Sequence, residues 1–249
     1  MALTSFVILA AITFAGAVMA GAFGVGFAIL AAPLFLVVMD STGAIPVLAV
    51  LNFAASALVA ARIRRHAPGR LLALLCAGSV CGLPIGLVLF GAADVSDLKL
   101  VAGAVIMLLA LLLLARGYVV FDRRAKSAER ASVPIALLVG ALAGAMGTAL
   151  AMPGPILMLY LVVLRLTKDQ SRALSLVFFT FVYSVVCLLH FWDGGLDAQR
   201  LWFSAKLIPA VIVGVAAGHW LARHISEERY RVLVLVILFA AGLYAVASV

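Results

Sequence analysis

Residues 131–164 read ASVPIALLVGALAGAMGTALAMPGPILMLYLVVL, a stretch of 34 residues with no charged side chain. As one helix rising 1.5 Å per residue it would be about 51 Å long, against a hydrocarbon core of about 30 Å. The run must therefore break. Glycine and proline stand where a break is needed, in Gly144-Ala-Met-Gly147-Thr148 followed by Met152-Pro153-Gly154-Pro155. Residues 1–39 pose the same problem, since all 39 are uncharged, and Gly21-Ala-Phe-Gly24-Val-Gly26 divides them. Each long run is expected to be two helices joined at an irregular turn.

Around these two runs, segments 41–61, 71–93, 98–115, 173–192, 201–222 and 232–249 each have the length of one spanning helix. With 67% of its 249 residues apolar, 11% charged and a mean hydropathy of +1.27, the chain is an integral membrane protein. It has no length left for a separate soluble domain. The excess of 18 Lys plus Arg over 10 Asp plus Glu lies in short loops, where it signals topology rather than nucleic acid. Cys76, Cys81 and Cys187 are odd in number, lack metal-ligand spacing and read as small packing residues. The N-terminus has no basic residue and its apolar run outlasts a signal-peptide core, so it reads as mature structure.

Charge decides whether the two long runs fold back. The loop from Arg62 to Arg70 carries Arg62, Arg64, Arg65 and Arg70 and no acid, and the loop from Arg116 to Arg130 carries five basic residues against Asp122 and Glu129. Both are cytoplasmic by the positive-inside rule, and Asp94, Asp97 and Lys99 between them face outward. If the fifth run crossed once, Arg165, Lys168, Arg172, Arg223, Arg229 and Arg231 would all lie outside. A hairpin returns them to the cytoplasm and leaves Asp193, Gly194, Gly195 and Asp197 outside. The same rule folds the first run and puts the N-terminus outside. The halves also match internally: Gly21-x-x-Gly24 leading to Pro33-Leu34 pairs with Gly144-x-x-Gly147 leading to Pro155-Ile156, about 122 residues later.

The expected fold is thus an all-α polytopic membrane protein of two inverted-topology repeats, each a broken-helix hairpin plus three transmembrane helices. The N-terminal repeat takes 1–119 (hairpin 1–39, helices 41–61, 71–93 and 98–115) and a cytoplasmic linker takes 120–132. The C-terminal repeat takes 133–249 (hairpin 133–164, helices 173–192, 201–222 and 232–249).

An anion site needs no charged side chain here, because a helix begun inside the membrane offers unpaired N–H groups and a partial positive charge. The hairpins supply two such starts, near Gly24-Val25-Gly26 and near Met152-Pro153-Gly154, where Pro155 suits a first helical turn. Inverted repeats bring these starts together at mid-depth, and glycine admits the backbone to the ligand. Polar residues inside the runs are few. Asn52 can donate to an anion or tie two helices together; Ser56, Ser175, Thr180 and Ser184 can bond back to their own helices. Thr148 lies at the second break, and Tyr183 reads as a packing aromatic.

All ten acids lie in loops or at run ends, which argues against cation transport and against carboxylate chemistry. His66, His190, His219 and His224 stand apart at run ends and read as interface or loop residues, with no metal pattern. No cofactor is expected, and no catalytic or metal residue.

The glycine and proline pairing resembles the sulfite exporter TauE/SafE family of membrane transporters. Similarity is strongest in Gly144-Ala-Met-Gly147-Thr-Ala-Leu-Ala-Met-Pro153-Gly154-Pro155-Ile-Leu-Met-Leu-Tyr160 and Arg172-Ala-Leu-Ser-Leu. It extends to Gly78-Ser-Val-Cys-Gly82-Leu-Pro84-Ile-Gly86 and Gly214-Val-Ala-Ala-Gly218. The chain departs from the family's usual glycine triplet, with Gly24-Val-Gly26-Phe in one half and Thr148-Ala-Leu in the other. The resemblance implies export of sulfite, sulfoacetate or a related organosulfonate across a bacterial inner membrane; the expected mechanism, from the paired repeats, is alternating access, one hairpin gate opening as the other closes. The resemblance also favours Arg172 over Lys206 as the cation that draws substrate in, with a positive-inside anchor as the alternative for Arg172; Lys206 reads as a snorkelling side chain. The alternatives are a transporter of other small organic anions or neutral metabolites, or a membrane-embedded enzyme or assembly factor. Expected partners are the anion and the bilayer, with a homodimer admitted and no nucleic acid.

The expected substrate-binding residues are Gly24, Val25, Gly26, Asn52, Ser56, Thr148, Met152, Pro153, Gly154, Arg172 and Thr180.

Overall fold

The computed structural model describes residues 3–115, 131–164 and 166–221; the expected final helix at 232–249 and most of the linker lie outside them. Regular structure among the described residues is helical: α1 (Leu3–Phe23), α2 (Phe27–Met39), α3 (Ala44–Ile63), α4 (Gly69–Ala92), α5 (Val95–Ala115), α6 (Val133–Leu150), α7 (Gly154–Leu164), α8 (Lys168–Trp192) and α9 (Ala198–Leu221). A single 3₁₀ turn, Arg64–His66, follows α3. Six of these helices (α1, α3, α4, α6, α8 and α9) are long and apolar enough to cross a membrane, so the protein is a multi-pass membrane protein.

Both long runs break. After α1, Gly24 has φ +75° and Gly26 φ +114°, left-handed values that side chains resist. A Cβ on Gly24 would also stand 2.6 Å from Arg172 Cγ, and one on Gly26 2.7 Å from Met19 Cε. The second break is shorter than the sequence suggests. Gly144, Gly147 and Thr148 are regular α6 residues, and the helix ends only at Ala151, a left-handed residue with φ 53°. There the N–H groups of Ala151 and Met152 both close on the Met146 carbonyl. Pro153 follows, and α7 begins at Gly154 with Pro155 in its first turn. Gly144 is small for another reason: it lies against the Ser79 carbonyl of α4.

α8 likewise starts five residues earlier than expected, at Lys168. Thr167 accepts from the Gln170 N–H at 3.2 Å while the Gln170 side chain accepts from the Thr167 N–H at 3.3 Å. This reciprocal cap absorbs the charged stretch into the helix and places Arg172 in its second turn.

α2 runs back along α1: Met19 packs on Gly26, and Phe27 on Gly16. Met39 returns to the end where Leu3 and Phe6 begin. Lys99 of α5 donates to Asp40 at 2.6 Å, Phe6 meets Phe203 edge-on at 6.0 Å, and Gly43 lies against the Arg200 guanidinium. Asp40, Lys99, Gly43 and Arg200 therefore share one end of the bundle. The Arg64–His66 turn packs on α8 near the start of α4.

The two most extensive helix pairs are α4 with α6 and α1 with α9, and both run parallel. In the first, Gly78 and Gly82 sit on the carbonyls of Leu137 and Ala141; in the second, Gly214 and Gly218 meet Phe14 and Val18. Contacts this close let backbones touch where side chains would hold them apart. The two pairs share a register. From Phe14 to Leu137 and from Val18 to Ala141 is 123 residues, and from Gly78 to Gly214 and from Gly82 to Gly218 is 136. Gly21 on Val215 and Gly144 on Ser79 repeat both offsets, 144 − 21 = 123 and 215 − 79 = 136.

Candidate functional site

Between the two breaks lies a small internal cavity. Gly24, Val25 and Gly26 of the first break line it, with Phe27, Ala28 and Ile29 of the first turn of α2. Asn52, Ala55 and Ser56 of α3 face it, as do Leu176, Phe179 and Tyr183 of α8 and Gly154 at the start of α7. The two hairpin turns meet here: a Cβ on Gly154 would lie 3.5 Å from Val25 Cγ1 and 3.6 Å from Ile29 Cδ1 and Phe179 Cζ. Phe179 is the twelfth of the 25 residues of α8, so the meeting point is near the middle of that long helix.

The chemistry of the lining follows from helix geometry. In α2 the first intrahelical bond is Leu30 N–H to Gly26 C=O, at 3.1 Å, and no side chain caps the end. The N–H groups of Phe27, Ala28 and Ile29 are thus without helical acceptors, on residues that line the cavity. The N-terminal end of a helix favours an anion. The named lining residues include no acid and no base, and their polar side chains are those of Asn52, Ser56 and Tyr183. Asn52, 4% exposed, spends one N–H on the Leu48 carbonyl at 2.9 Å, neither bridging helices nor exhausting its donors. Ser56 donates to Phe53 C=O at 3.1 Å. The space open to the centre of a water molecule is about 20 Å³, room for one water or two. An organic anion enters only when the walls part.

Of the expected residues, Gly24, Val25, Gly26, Asn52, Ser56 and Gly154 come together around this cavity. Thr148, Met152, Pro153, Arg172 and Thr180 are not among the lining residues. Thr148 is fully buried in α6 and bonds back to Gly144 C=O at 3.3 Å, and Thr180 bonds back to Leu176 C=O at 2.7 Å. Met152 is fully buried and Pro153 packs near Gly147, both at the second break. Arg172 crosses to the first hairpin, where its Nη2 donates to Gly21 C=O, one of the last carbonyls of α1. Its Nε is buried without a partner.

α8 also secures the second break. Tyr183 is more than a packing aromatic: it is 2% exposed and its hydroxyl donates to Ala151 C=O at 2.8 Å. His190 is no loop residue either, being fully buried with Nε2 3.2 Å from Thr148 C=O. Ser175, expected to bond to its own helix, leaves its buried Oγ unpartnered. Leu176, Phe179 and Tyr183 line the cavity unannounced by the sequence, although with Arg172 they follow the helical spacing i, i+4, i+7, i+11. Lys206 keeps its ammonium 5.7 Å from the Trp202 ring centre, as a snorkelling side chain does.

Among the described residues no group of three or more His, Cys, Asp or Glu is placed to hold a metal. No curated protein and no solved structure matches the chain. One family model does, that described as Sulfite exporter TauE/SafE, over residues 8–245 of 249. A match over nearly the whole length, on a chain of six membrane-crossing helices, means that this protein belongs to the sulfite exporter TauE/SafE family of membrane transporters.

Proposed function

We propose that the protein exports a small sulfur-containing anion, such as sulfite, sulfoacetate or a related organosulfonate, across a bacterial inner membrane. The observation that carries this reading is the uncapped N-terminal turn of α2, which opens on a buried cavity lined by no carboxylate. N–H groups of Phe27, Ala28 and Ile29 and the free N–H of Asn52 would share the oxyanion, and the Ser56 hydroxyl would join them only by giving up the Phe53 carbonyl. Family membership supplies the sulfur chemistry.

The export cycle in this reading is alternating access between two inverted repeats. Support comes from the shared register of the α1 with α9 and α4 with α6 pairs, which begin at opposite ends of the bundle. An operation that exchanges the halves and reverses their direction maps one pair on the other. The cavity, too small here for an organic anion, then represents a contracted stage, and each hairpin is the gate on its own side.

The test is counterflow in proteoliposomes with sulfite, sulfoacetate, sulfate and acetate. A hydrogen bond to a charged group is worth about 1.5 to 3 kcal/mol, so Asn52→Ala should weaken binding of the transported anion roughly tenfold or more. Gly154→Val, whose methyls would project toward Val25 and Phe179, should weaken it further. Unchanged binding in both variants would place the site elsewhere, and counterflow of acetate but of no sulfur anion would refute the substrate class.

A further inference from the structure

His190 carries an unused ring nitrogen in a place where a proton would matter. It sits in the last turn of α8, fully buried, with its ring edge-on to Phe90 of α4 at 4.7 Å. Nε2 lies 3.2 Å from the Thr148 carbonyl, which can only accept, so Nε2 bears the hydrogen. Nδ1 is buried with no hydrogen-bond partner. The loop after α8 covers it: a Cβ on Gly195 would stand 3.2 Å from Nδ1, and Leu196 N–H bonds the His190 carbonyl at 2.8 Å. This arrangement suits neutral imidazole alone. A proton on Nδ1 would create a buried charge whose N–H has no acceptor.

Among the described residues, charged groups near this end are few. The covering loop brings Asp193 and Asp197, and α9 brings Arg200, which donates to Gly195 C=O at 2.9 Å and to Asp197 at 3.3 Å. Asp94 and Asp97 follow α4, and Lys99 of α5 is paired with Asp40. On α8 itself the nearest titratable neighbour in sequence is Cys187; α6 carries none. The Asp193 carboxylate lies on this side of the ring, but an Nδ1–H finds an acceptor only when the ring turns out of its pocket toward the loop of Asp193, Gly194 and Gly195.

We propose that His190 is a proton-binding site that latches the second hairpin. Neutral His190 holds the C-terminal end of α6 through Thr148, two residues before the helix ends. A proton arriving from the Asp193–Asp197 end adds to the Nδ1 lone pair, the ring turns out to the carboxylates, and the Nε2–H bond to Thr148 is lost. With it goes one of the two bonds from α8 that hold the α6 end of the break; Tyr183 to Ala151 remains. In the export cycle, a consequence that rests on the transporter reading, acid outside would loosen the tip of the second hairpin.

The latch can be tested without substrate. In a chain with Cys76, Cys81 and Cys187 changed to Ala, Met152→Cys reports the second break by its rate of maleimide labelling. The rate is compared, at each pH, with the same chain carrying His190→Gln, which keeps a donor for Thr148 and binds no proton. That comparison cancels the thiol's own pH dependence. The ratio should rise by up to about tenfold per unit as the outer pH falls from about 7.5 to about 5.5, as for a single protonation. A ratio that stays flat overturns the proposal. As a second measurement, a chain with His66, His219 and His224 changed to Gln leaves His190 as its sole histidine, and its ¹⁵N resonances should show proton uptake; none by about pH 5 overturns the proposal equally. Sulfite counterflow is read separately. A chain that moves no anion but still opens Met152→Cys in acid would sink the transport reading and uphold the proton site.

Discussion

Arg172 is where a single side chain departs furthest from what its position in the sequence implied. The family resemblance implies a lure for anions and the alternative is an anchor; the Arg172 guanidinium donates to Gly21 C=O and backs the Gly24 bend. A cation on the carbonyl end of α1 complements the helix dipole. Loss of long-range attraction would be masked by salt; loss of this direct bond would not. Arg172→Gln should therefore lower counterflow at low and high ionic strength alike, with Lys206→Gln close to the parent in both. Convergence of Arg172→Gln on the parent at high salt would restore the steering role. Tyr183→Phe strands the buried Ala151 carbonyl and should cost about 1 to 3 kcal/mol of stability, measurable as a lower melting temperature in detergent. Gly24, Gly26 and Gly154 could be read from the sequence because they stand where an overlong run must break, Val25 because it lies between two of them, and Asn52 and Ser56 because polar side chains are few in apolar runs. Leu176 and Phe179 stayed hidden, since apolar side chains in a membrane helix look alike whether they face a cavity or a neighbour.

At the scale of the helix, glycine has two uses that sequence does not separate. Gly24 and Gly26 bend the chain, whereas Gly144 and Gly147 let α6 lie against its neighbours. The run-length argument correctly demanded a break in 131–164, but only the geometry tells that Ala151 to Pro153 supplies it. The start of α8 escaped for a related reason, because charge had marked a loop where the Thr167 and Gln170 cap begins a helix. Packing glycines should be intolerant of one carbon. A Cβ on Gly82 would overlap the Ala141 carbonyl, while one on Gly91 meets nothing within 4 Å. Gly82→Ala should destabilise by about 1 to 3 kcal/mol or more, and Gly91→Ala, being unopposed, should stay near the parent in thermal unfolding. Equal melting temperatures would mean that α4 and α6 are not held at backbone contact.

For the whole molecule, folding back of both hairpins is what sorts the loops, with Asp40, Lys99 and Arg200 at one end and the Arg64–His66 turn near the start of α8 at the other. A membrane-impermeant maleimide on intact cells should label Asp94→Cys and Gly194→Cys, and reach Arg64→Cys and Asp169→Cys only after permeabilisation. Labelling of Asp169→Cys together with Gly194→Cys would undo the orientation. Charge counting made this arrangement readable at the level of sides, whereas the glycine register between distant helices needs three dimensions to be seen. The buried Lys99 bound to Asp40 has a mechanical meaning as well. It anchors the far end of α2, a rod of 13 residues and about 20 Å, while among the described residues no ion pair holds the glycine end. A lever fixed at one end multiplies angle into travel. Tilting it by about 10° would sweep the Gly26 end by about 3.5 Å, turning a space sized for water into one sized for an oxyanion without stretching the fulcrum.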